Sequence, residues 1–273
     1  MAQTDLKSVA LQAKLNIFQP LDVNGPESVK YLKSFQPDLF VIAAYGQILS
    51  QGILDIPNIF PLNIHASLLP RYRGAAPINW AIVRGDKITG VSIMRLIRKM
   101  DAGPVLAQRK IEINERDDSI TLEDKLRSAG AELLLDSIKS VEDKTFKLIP
   151  QDEKKVILAP KLKKKDGQID WNKPAEEIHN LVRGVLPWPG AFTYYKGKLL
   201  KVYKAKIISC QVLRSASSQA GQILNVSKQG IVVACSRDSL CVEELQLEGK
   251  RRMSPAEFIS GHKISPKEIF NKK

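Results

Sequence analysis

The stretch Leu62-Asn63-Ile64-His65-Ala66-Ser67-Leu68-Leu69-Pro70 is the segment around which the chain is organised. Its first part, residues 61–66, is predicted to form a short strand. Alternate side chains of a strand share a face, so Asn63 and His65 point one way and their neighbours point the other. An amide beside an imidazole combines a hydrogen-bond donor with a base. The residues that follow form a loop pattern, and loops at strand ends commonly bind ligands in α/β proteins.

A structural role is the simpler interpretation of an Asn-x-His pattern on a strand, but three observations favour a catalytic role. The chain has only three histidines. His65 directly precedes a loop punctuated by Pro70 and Gly74. Downstream, the turn Met100-Asp101-Ala102-Gly103-Pro104 supplies a carboxylate before another apolar run. The simpler interpretation of Asp101 is a turn residue whose carboxylate binds its own backbone.

The positive charge of the chain is concentrated in its second half. The 273 residues carry 42 Lys and Arg against 29 Asp and Glu, a net charge of +13. Residues 1–150 contribute +2 of this charge and residues 151–273 contribute +11. A near-neutral half joined to a basic half favours chemistry in the first and nucleic-acid binding in the second. The alternative is a cationic surface without such a partner.

Composition indicates a globular protein of the cytoplasm. The hydrophobic fraction of 44% is ordinary. No apolar run approaches the roughly 20 residues needed to cross a membrane, and the N-terminus lacks the apolar core of a signal peptide. Cys210, Cys235 and Cys241 lack paired metal-binding spacing and are interpreted as reduced thiols. The three histidines are too scattered for a metal site, so we expect no metal.

The first 149 residues are predicted to be an α/β catalytic domain, because strand and helix patterns alternate along them. A short strand is predicted at 16–19. The continuous apolar run at 39–45 is typical of a strand covered on both faces. Residues 119–141 carry the apolar stripe of a long helix.

The second half has a different pattern. Residues 150–168 contain prolines and a lysine run without a sustained apolar period, which indicates a basic linker. Residues 169–273 begin with a helix and continue with five short strand patterns separated by turns. Such spacing is typical of a small β-barrel.

Several short motifs in a fixed order give the chain a resemblance to a known family. They are Asn63, His65, the Ser67-Leu68-Leu69-Pro70 loop, Asp101 before Gly103, RYRGAAP at 71–77, Trp188-Pro189 and LEGKRRMS at 247–254. Together they resemble the folate-dependent formyltransferases, and the match runs through nearly the whole chain. The resemblance implies a Rossmann-like formyltransferase domain followed by an open β-barrel similar to the oligonucleotide-binding (OB) fold, with tRNA bound by the latter.

The resemblance also implies a reaction, namely transfer of a formyl group from the co-substrate 10-formyltetrahydrofolate to the free amino group of methionyl initiator tRNA, for translation initiation. Asn63 would donate a hydrogen bond to the formyl oxygen as it gains negative charge. His65 would donate to that oxygen or shuttle the proton, and Asp101 would hold the imidazole and favour its charged form. The folate pocket would be lined by Ser67, Leu68, Leu69 and Pro70.

Binding of tRNA phosphates is expected from basic side chains in both halves, through charge and not through base recognition. The candidates are Arg71, Arg73, Lys163, Lys164, Lys165, Lys250, Arg251 and Arg252. We expect a monomer without membrane contact.

Two alternatives remain open from the residues. The chain could formylate another amine, such as that of a sugar nucleotide, or it could be a non-catalytic RNA-binding protein with an incomplete catalytic head. The resemblance further implies a strand–helix–strand segment and a basic loop before the first residue of this sequence. Without them, the 273-residue polypeptide is expected to leave an apolar strand edge unpaired and to be unstable or aggregation-prone.

Overall fold

A four-stranded mixed sheet carries the Asn63–His65 pattern in the computed structural model, which describes residues 5–209 and 218–271. Its spatial order is β1 (Leu39–Ile42), β2 (Phe60–His65), β3 (Ile88–Arg95) and β4 (Val105–Glu112). β1 and β2 are parallel, whereas β2, β3 and β4 are antiparallel to one another in turn. His65 is the last residue of β2 and pairs with Ser92 of β3. The strand therefore ends at the residue that sequence analysis selected.

A long helix covers this sheet, as predicted. The helices of the first half are α1 (Asp5–Gln12), α2 (Pro26–Ser34), α3 (Gln51–Leu54), α4 (Pro77–Val83) and α5 (Ser119–Glu142). The Asp118 carboxylate caps α5 by accepting hydrogen bonds from the backbone N–H groups of Ile120 and Thr121. Leu122 and Leu126 of the predicted stripe are buried in the core formed with β2 and β3. The apolar period thus sets both the helix and the face that it buries.

One predicted strand of the first half is wrong, and another is shorter and less covered than predicted. Residues 16–19, which lie within the described part of the chain, form no strand. Instead, Phe18 packs on Tyr31 of α2 with ring centroids 4.3 Å apart. The apolar run at 39–45 forms only the four-residue edge strand β1, in which Val41 is 45% exposed. None of the four residues of β1 is fully buried, so this strand is not covered on both faces in the described part of the chain.

The second half contains the predicted β-rich domain. Its elements are α6 (Ala175–Gly184), β5 (Ala191–Tyr195), β6 (Lys198–Ile208), β7 (Ile223–Ser227), β8 (Gly230–Ala234), β9 (Ser239–Leu247) and α7 (Pro255–Gly261). The antiparallel sheet has the order β5-β6-β9-β8-β7. Asn271 bridges to Tyr194 of β5, and Ile269 bridges to Gln222 beside β7. These bridges connect the two edges of the sheet and curl it around a buried core that includes Leu200, Val233 and Phe258.

Direct hydrogen bonds join the two halves. Asn79 of α4 donates to the carbonyl of Gly184 at 2.8 Å, and Arg183 donates to the carbonyl of Asp117 at 2.7 Å. Residues 150–168, which connect the two halves, contain two short 3₁₀ helices, Glu153–Lys155 and Lys164–Gly167.

The remaining sequence predictions concern cysteines and membranes. Cys235 and Cys241 are buried, whereas Cys210 lies outside the described residues. None of the helices in the described ranges has the length and hydropathy required for a bilayer span.

Candidate functional site

A cavity of about 810 Å³ opens at the end of β2 and brings the three predicted catalytic residues together. Asn63, His65 and Asp101 all line it. The first two face the same space because strand alternation puts them on one side of β2. Asp101 arrives from the turn between β3 and β4, which is 36 residues further along the chain than His65. No local sequence pattern specifies that Asp101 lies near His65, because this proximity depends on the antiparallel pairing of β2 with β3.

His65 is buried and its ring orientation is fixed by one backbone carbonyl. Its Nε2 lies 2.9 Å from the carbonyl oxygen of Tyr72. A carbonyl only accepts hydrogen bonds, so Nε2 carries the hydrogen and Nδ1 is the unprotonated nitrogen of the neutral ring. Nδ1 lies 3.8 Å from Oδ2 of Asp101. That distance is too long for a direct hydrogen bond, and within the described residues Asp101 supplies the carboxylate nearest to Nδ1.

Asp101 is held by groups that are distant in sequence. Its Oδ2 accepts a hydrogen bond of 2.9 Å from the backbone N–H of Gly74, and its carbonyl accepts one of 2.8 Å from the Gln151 side chain. The residue has a positive φ of 49°. The simpler interpretation of a turn residue that binds only its own backbone is therefore wrong.

Asn63 presents a side-chain amide at the cavity without a competing partner. Within residues 5–209 and 218–271, no hydrogen bond engages that amide, and the side chain is half-buried. An amide in this state can donate to an oxygen atom that gains negative charge in the cavity.

The Ser67–Pro70 loop, which is predicted to line the folate pocket, lies outside the lining of the cavity around His65. The described residues that line this cavity include none of these four. Ser67 Oγ donates to the carbonyl of Arg71 at 2.6 Å, and the backbone N–H of Leu69 donates to Ser92 Oγ at 3.0 Å. Leu68 and Pro70 border a separate groove of about 440 Å³. The loop thus fixes the path of the chain after His65.

Residues 45–49 are cavity residues that sequence analysis did not select. They follow β1, whose carboxyl end is adjacent to that of β2 in the parallel pair. Asn24 fixes this segment by donating to the carbonyl of Ile48 at 3.0 Å and accepting from the Ser50 backbone N–H at 2.7 Å. The rule that ligands bind beyond the carboxyl ends of adjacent parallel strands could have indicated them.

The two arginines near the site that are predicted to contact tRNA both bind carboxylates of this chain. The Arg73 side chain is buried and donates to Gln151 Oε1 and Glu153 Oε1, each at 2.9 Å. Together with Lys99, it lowers the pKa of the Glu153 carboxyl to about 2. Arg71 is bound to Asp86 at 2.6 Å. The buried position of Arg73 differs from that expected of a phosphate contact.

The other predicted basic residues lie at the surface. Lys163, Lys164 and Lys165 are exposed at the second 3₁₀ turn. Arg251 pairs with Glu257, and Arg252 pairs with Glu244 and lies 4.2 Å from the centre of the Tyr203 ring. The exposed Lys250 completes that cluster. Among the residues described, no group of three or more His, Cys, Asp or Glu side chains is arranged to hold a metal.

Comparisons with known sequences identify the family of this chain. The family model described as "Formyl transferase" matches residues 2–138, and its companion "Formyl transferase, C-terminal domain" matches residues 161–263. A relative from Acetivibrio thermocellus named methionyl-tRNA formyltransferase is 43% identical over 98% of this chain and 86% of its own length. Another with that name, from Citrifermentans bemidjiense, is 42% identical over 98% of this chain and 82% of its length.

Solved structures share the fold at low sequence identity. A structure of HypX from Aquifex aeolicus in complex with tetrahydrofolic acid has a TM-score of 0.65 at 19% identity, and the match covers 90% of this chain and 44% of that one. WlaRD, described as a sugar 3N-formyl transferase, has a TM-score of 0.64 at 17% identity, with 90% and 82% covered.

Proposed function

The chain belongs to the formyl transferase family, and on that premise we propose that it transfers a formyl group from 10-formyltetrahydrofolate to the amino group of methionyl initiator tRNA. One observation carries this proposal: Asn63, His65 and Asp101 meet at one cavity in a chain whose relatives, about 40% identical over nearly its whole length, are named for that reaction. The formylated product would serve translation initiation in the cytoplasm.

The three side chains can divide the chemistry of acyl transfer among them. When bound, the folate supplies a formyl group attached to one of its nitrogens. The Asn63 amide donates a hydrogen bond to the formyl oxygen, which gains negative charge as the amine attacks. His65 accepts at Nδ1 the proton that the attacking amine loses and returns it to the departing nitrogen. Asp101 stabilises the imidazole while it carries that proton.

The cavity has properties that suit a folate. Its volume of about 810 Å³ lies within the usual range for small-molecule sites. Ile42, Leu54 and Leu126 give it apolar walls for a flat ring system. In residues 45–49, which are all described, no backbone N–H donates in a backbone–backbone hydrogen bond, so these groups are available to polar ring atoms. We therefore propose residues 45–49 as folate contacts in place of the Ser67–Pro70 loop.

For tRNA, we propose that the exposed lysines of residues 163–165 and the cluster of residues 250–252 contact phosphates. Lys163, Lys164, Lys165 and Lys250 have exposed side chains. Arg251 and Arg252 each bind one carboxylate, but a guanidinium has five N–H groups and retains donors for a phosphate. Arg73 is left out because it is buried.

Replacing Lys163, Lys164 and Lys165 together with glutamine is expected to weaken tRNA binding and reduce its salt dependence. Each lost phosphate contact makes the slope of log affinity against log salt concentration less steep by about 0.7 to 0.9. The slope of the triple variant should therefore be less steep by about 2. The measurement is a binding titration at several salt concentrations. Lys14, Lys30 and Lys33, three exposed lysines of the first half, make a matched control when changed to glutamine together. Equal slopes for the two triple variants would contradict the proposed surface.

Direct formylation assays distinguish the proposed reaction from its alternatives. The chain is incubated with 10-formyltetrahydrofolate and one acceptor, either methionyl initiator tRNA, the uncharged tRNA or a dTDP-amino sugar. We expect formylmethionyl-tRNA as the product, since the sugar-acting proteins resemble this chain only at the level of fold. Turnover of the sugar nucleotide without turnover of the tRNA would contradict the assignment. A chain that binds tRNA but transfers no formyl group would be a binding protein instead.

A further inference from the structure

The segment Tyr72-Arg73-Gly74 contacts both members of the His65–Asp101 pair, His65 through Tyr72 and Asp101 through Gly74. The carbonyl of Tyr72 accepts the hydrogen bond from His65 Nε2 at 2.9 Å. The backbone N–H of Gly74 donates to Asp101 Oδ2 at 2.9 Å. This oxygen is the same one that lies 3.8 Å from His65 Nδ1. A single short segment therefore fixes the imidazole from one side and the carboxylate from the other.

Tyr72 is held in an uncommon backbone conformation by its side chain. Its φ is +63°, a value that bulky residues rarely adopt without support from their surroundings. The ring is only 2% exposed, and its hydroxyl donates to Asp86 Oδ2 at 2.8 Å. Burial, with the hydrogen bond to Asp86, raises the pKa of the Tyr72 hydroxyl, which therefore stays a donor at neutral pH. Arg71 binds the same carboxylate oxygen.

Arg73, the middle residue of the Tyr72–Gly74 segment, connects this segment to the turn that carries Asp101. Arg73 donates from Nε to Gln151 Oε1 at 2.9 Å. The Nε2 amide of the same glutamine donates to the carbonyls of Asp101 and Gly103, at 2.8 and 2.7 Å. The Arg73 backbone is itself anchored, because its N–H donates to the carbonyl of Ile157 at 2.9 Å. Gln151 thus connects the Tyr72–Gly74 segment to the turn that carries Asp101 through hydrogen bonds to both.

We propose that Tyr72–Gly74, braced by Asp86 and Gln151, is a positioning bracket that selects the Nε2–H tautomer of His65 and sets its distance to Asp101. This role rests on the proposed function, since it assigns the bracket to the reaction of the same site. Tyr72 and Gln151 are positioning residues, because they act through His65 and Asp101. The bracket would favour catalysis by fixing the positions of His65 and Asp101, because a misplacement of about 1 Å can lower the rate about a hundredfold.

Two conservative variants test the two sides of the bracket separately. Tyr72→Phe removes only the hydroxyl that binds Asp86. Gln151→Glu keeps an acceptor for Arg73 but removes the amide donor to the carbonyls of Asp101 and Gly103. The control is Tyr195→Phe in the second domain, where a buried tyrosine hydroxyl donates to Glu268 at 2.6 Å and Lys196 lies over the ring. It removes the same type of hydrogen bond far from the cavity.

Steady-state kinetics and the ¹⁵N signals of the histidine side chains are the two measurements. We expect Gln151→Glu to lower kcat about tenfold and Tyr72→Phe about threefold, with KM for both substrates within about twofold of wild type. In wild type the neutral His65 ring, assigned by comparison with His65→Gln, should show a protonated Nε2 and an unprotonated Nδ1. Tyr72→Phe should show a mixture of both tautomers, whereas Tyr195→Phe should match wild type in kcat and in these signals.

Each outcome decides the proposal. Unchanged kcat and unchanged ring signals in folded Tyr72→Phe and Gln151→Glu would overturn it. Wild-type rates with merely lower thermal stability would do the same, because they indicate a purely structural role. If the wild-type chain forms no formylated tRNA but the His65 signals still respond to Tyr72→Phe, the bracket stands and the proposed reaction fails.

Discussion

His65→Ala is expected to lower kcat for formyl transfer by about a hundredfold to ten-thousandfold, the range that general acid–base catalysis supplies. His65 is the group in the cavity whose Nδ1 can take a proton from the amine and give it to the departing nitrogen. Its removal leaves Asn63 in place to bind the formyl oxygen, so some turnover remains. Affinity for tRNA should stay within about twofold, since the proposed phosphate contacts lie on other elements. The measurements are single-turnover formylation and a tRNA binding titration.

A matched histidine variant separates this effect from a general loss of structure. His262→Ala removes an imidazole that stacks on Phe258 in the second domain and hydrogen-bonds the Phe258 carbonyl at 3.0 Å. It should leave kcat unchanged. A loss of tRNA affinity as large as the loss of kcat in His65→Ala would refute the catalytic role.

Gly103→Ala is expected to lower stability by about 1 to 3 kcal/mol, the usual cost of overpacking, and to lower kcat in the remaining folded protein. A Cβ at this position would lie 1.8 Å from the carbonyl oxygen of Arg95 in β3. Backbone must move to relieve such a contact. The turn would shift away from β3 and take Asp101 with it, two residues before the substituted position. Chemical denaturation and steady-state kinetics measure the two effects.

Gly261→Ala provides the control for this substitution. Its Cβ would meet no atom within 4 Å, and the position at the end of α7 does not require a positive φ. The variant should therefore keep wild-type stability to within about 0.5 kcal/mol, as is usual for surface substitutions. If Gly103→Ala is as stable and as active as Gly261→Ala, the contact between the turn and β3 does not position Asp101.

The sequence by itself determined the order and type of the main elements and the polar face of β2. Helix α5 was predictable because its leucines recur with the helical period, and buried faces of helices require such a pattern. Asn63 and His65 were predictable as neighbours because side chains alternate along any strand. The concentration of positive charge in the second half was likewise visible in composition, although composition does not show which cations are neutralised.

Tertiary structure alone decided which distant groups meet, because those contacts depend on strand pairing and packing and not on local pattern. Arg73 was predicted to contact tRNA phosphates, yet its side chain is buried and donates to Gln151 and to the exposed carboxylate of Glu153. The Ser67–Pro70 loop was predicted to line the folate pocket, and only the folded chain shows that it hydrogen-bonds Ser92 and Arg71 and lies outside the lining of the cavity around His65. Residues 45–49 reached the cavity because β1 pairs in parallel with β2. Asp101 comes within 3.8 Å of His65 only because antiparallel pairing and the Tyr72–Gly74 segment bring two turns together.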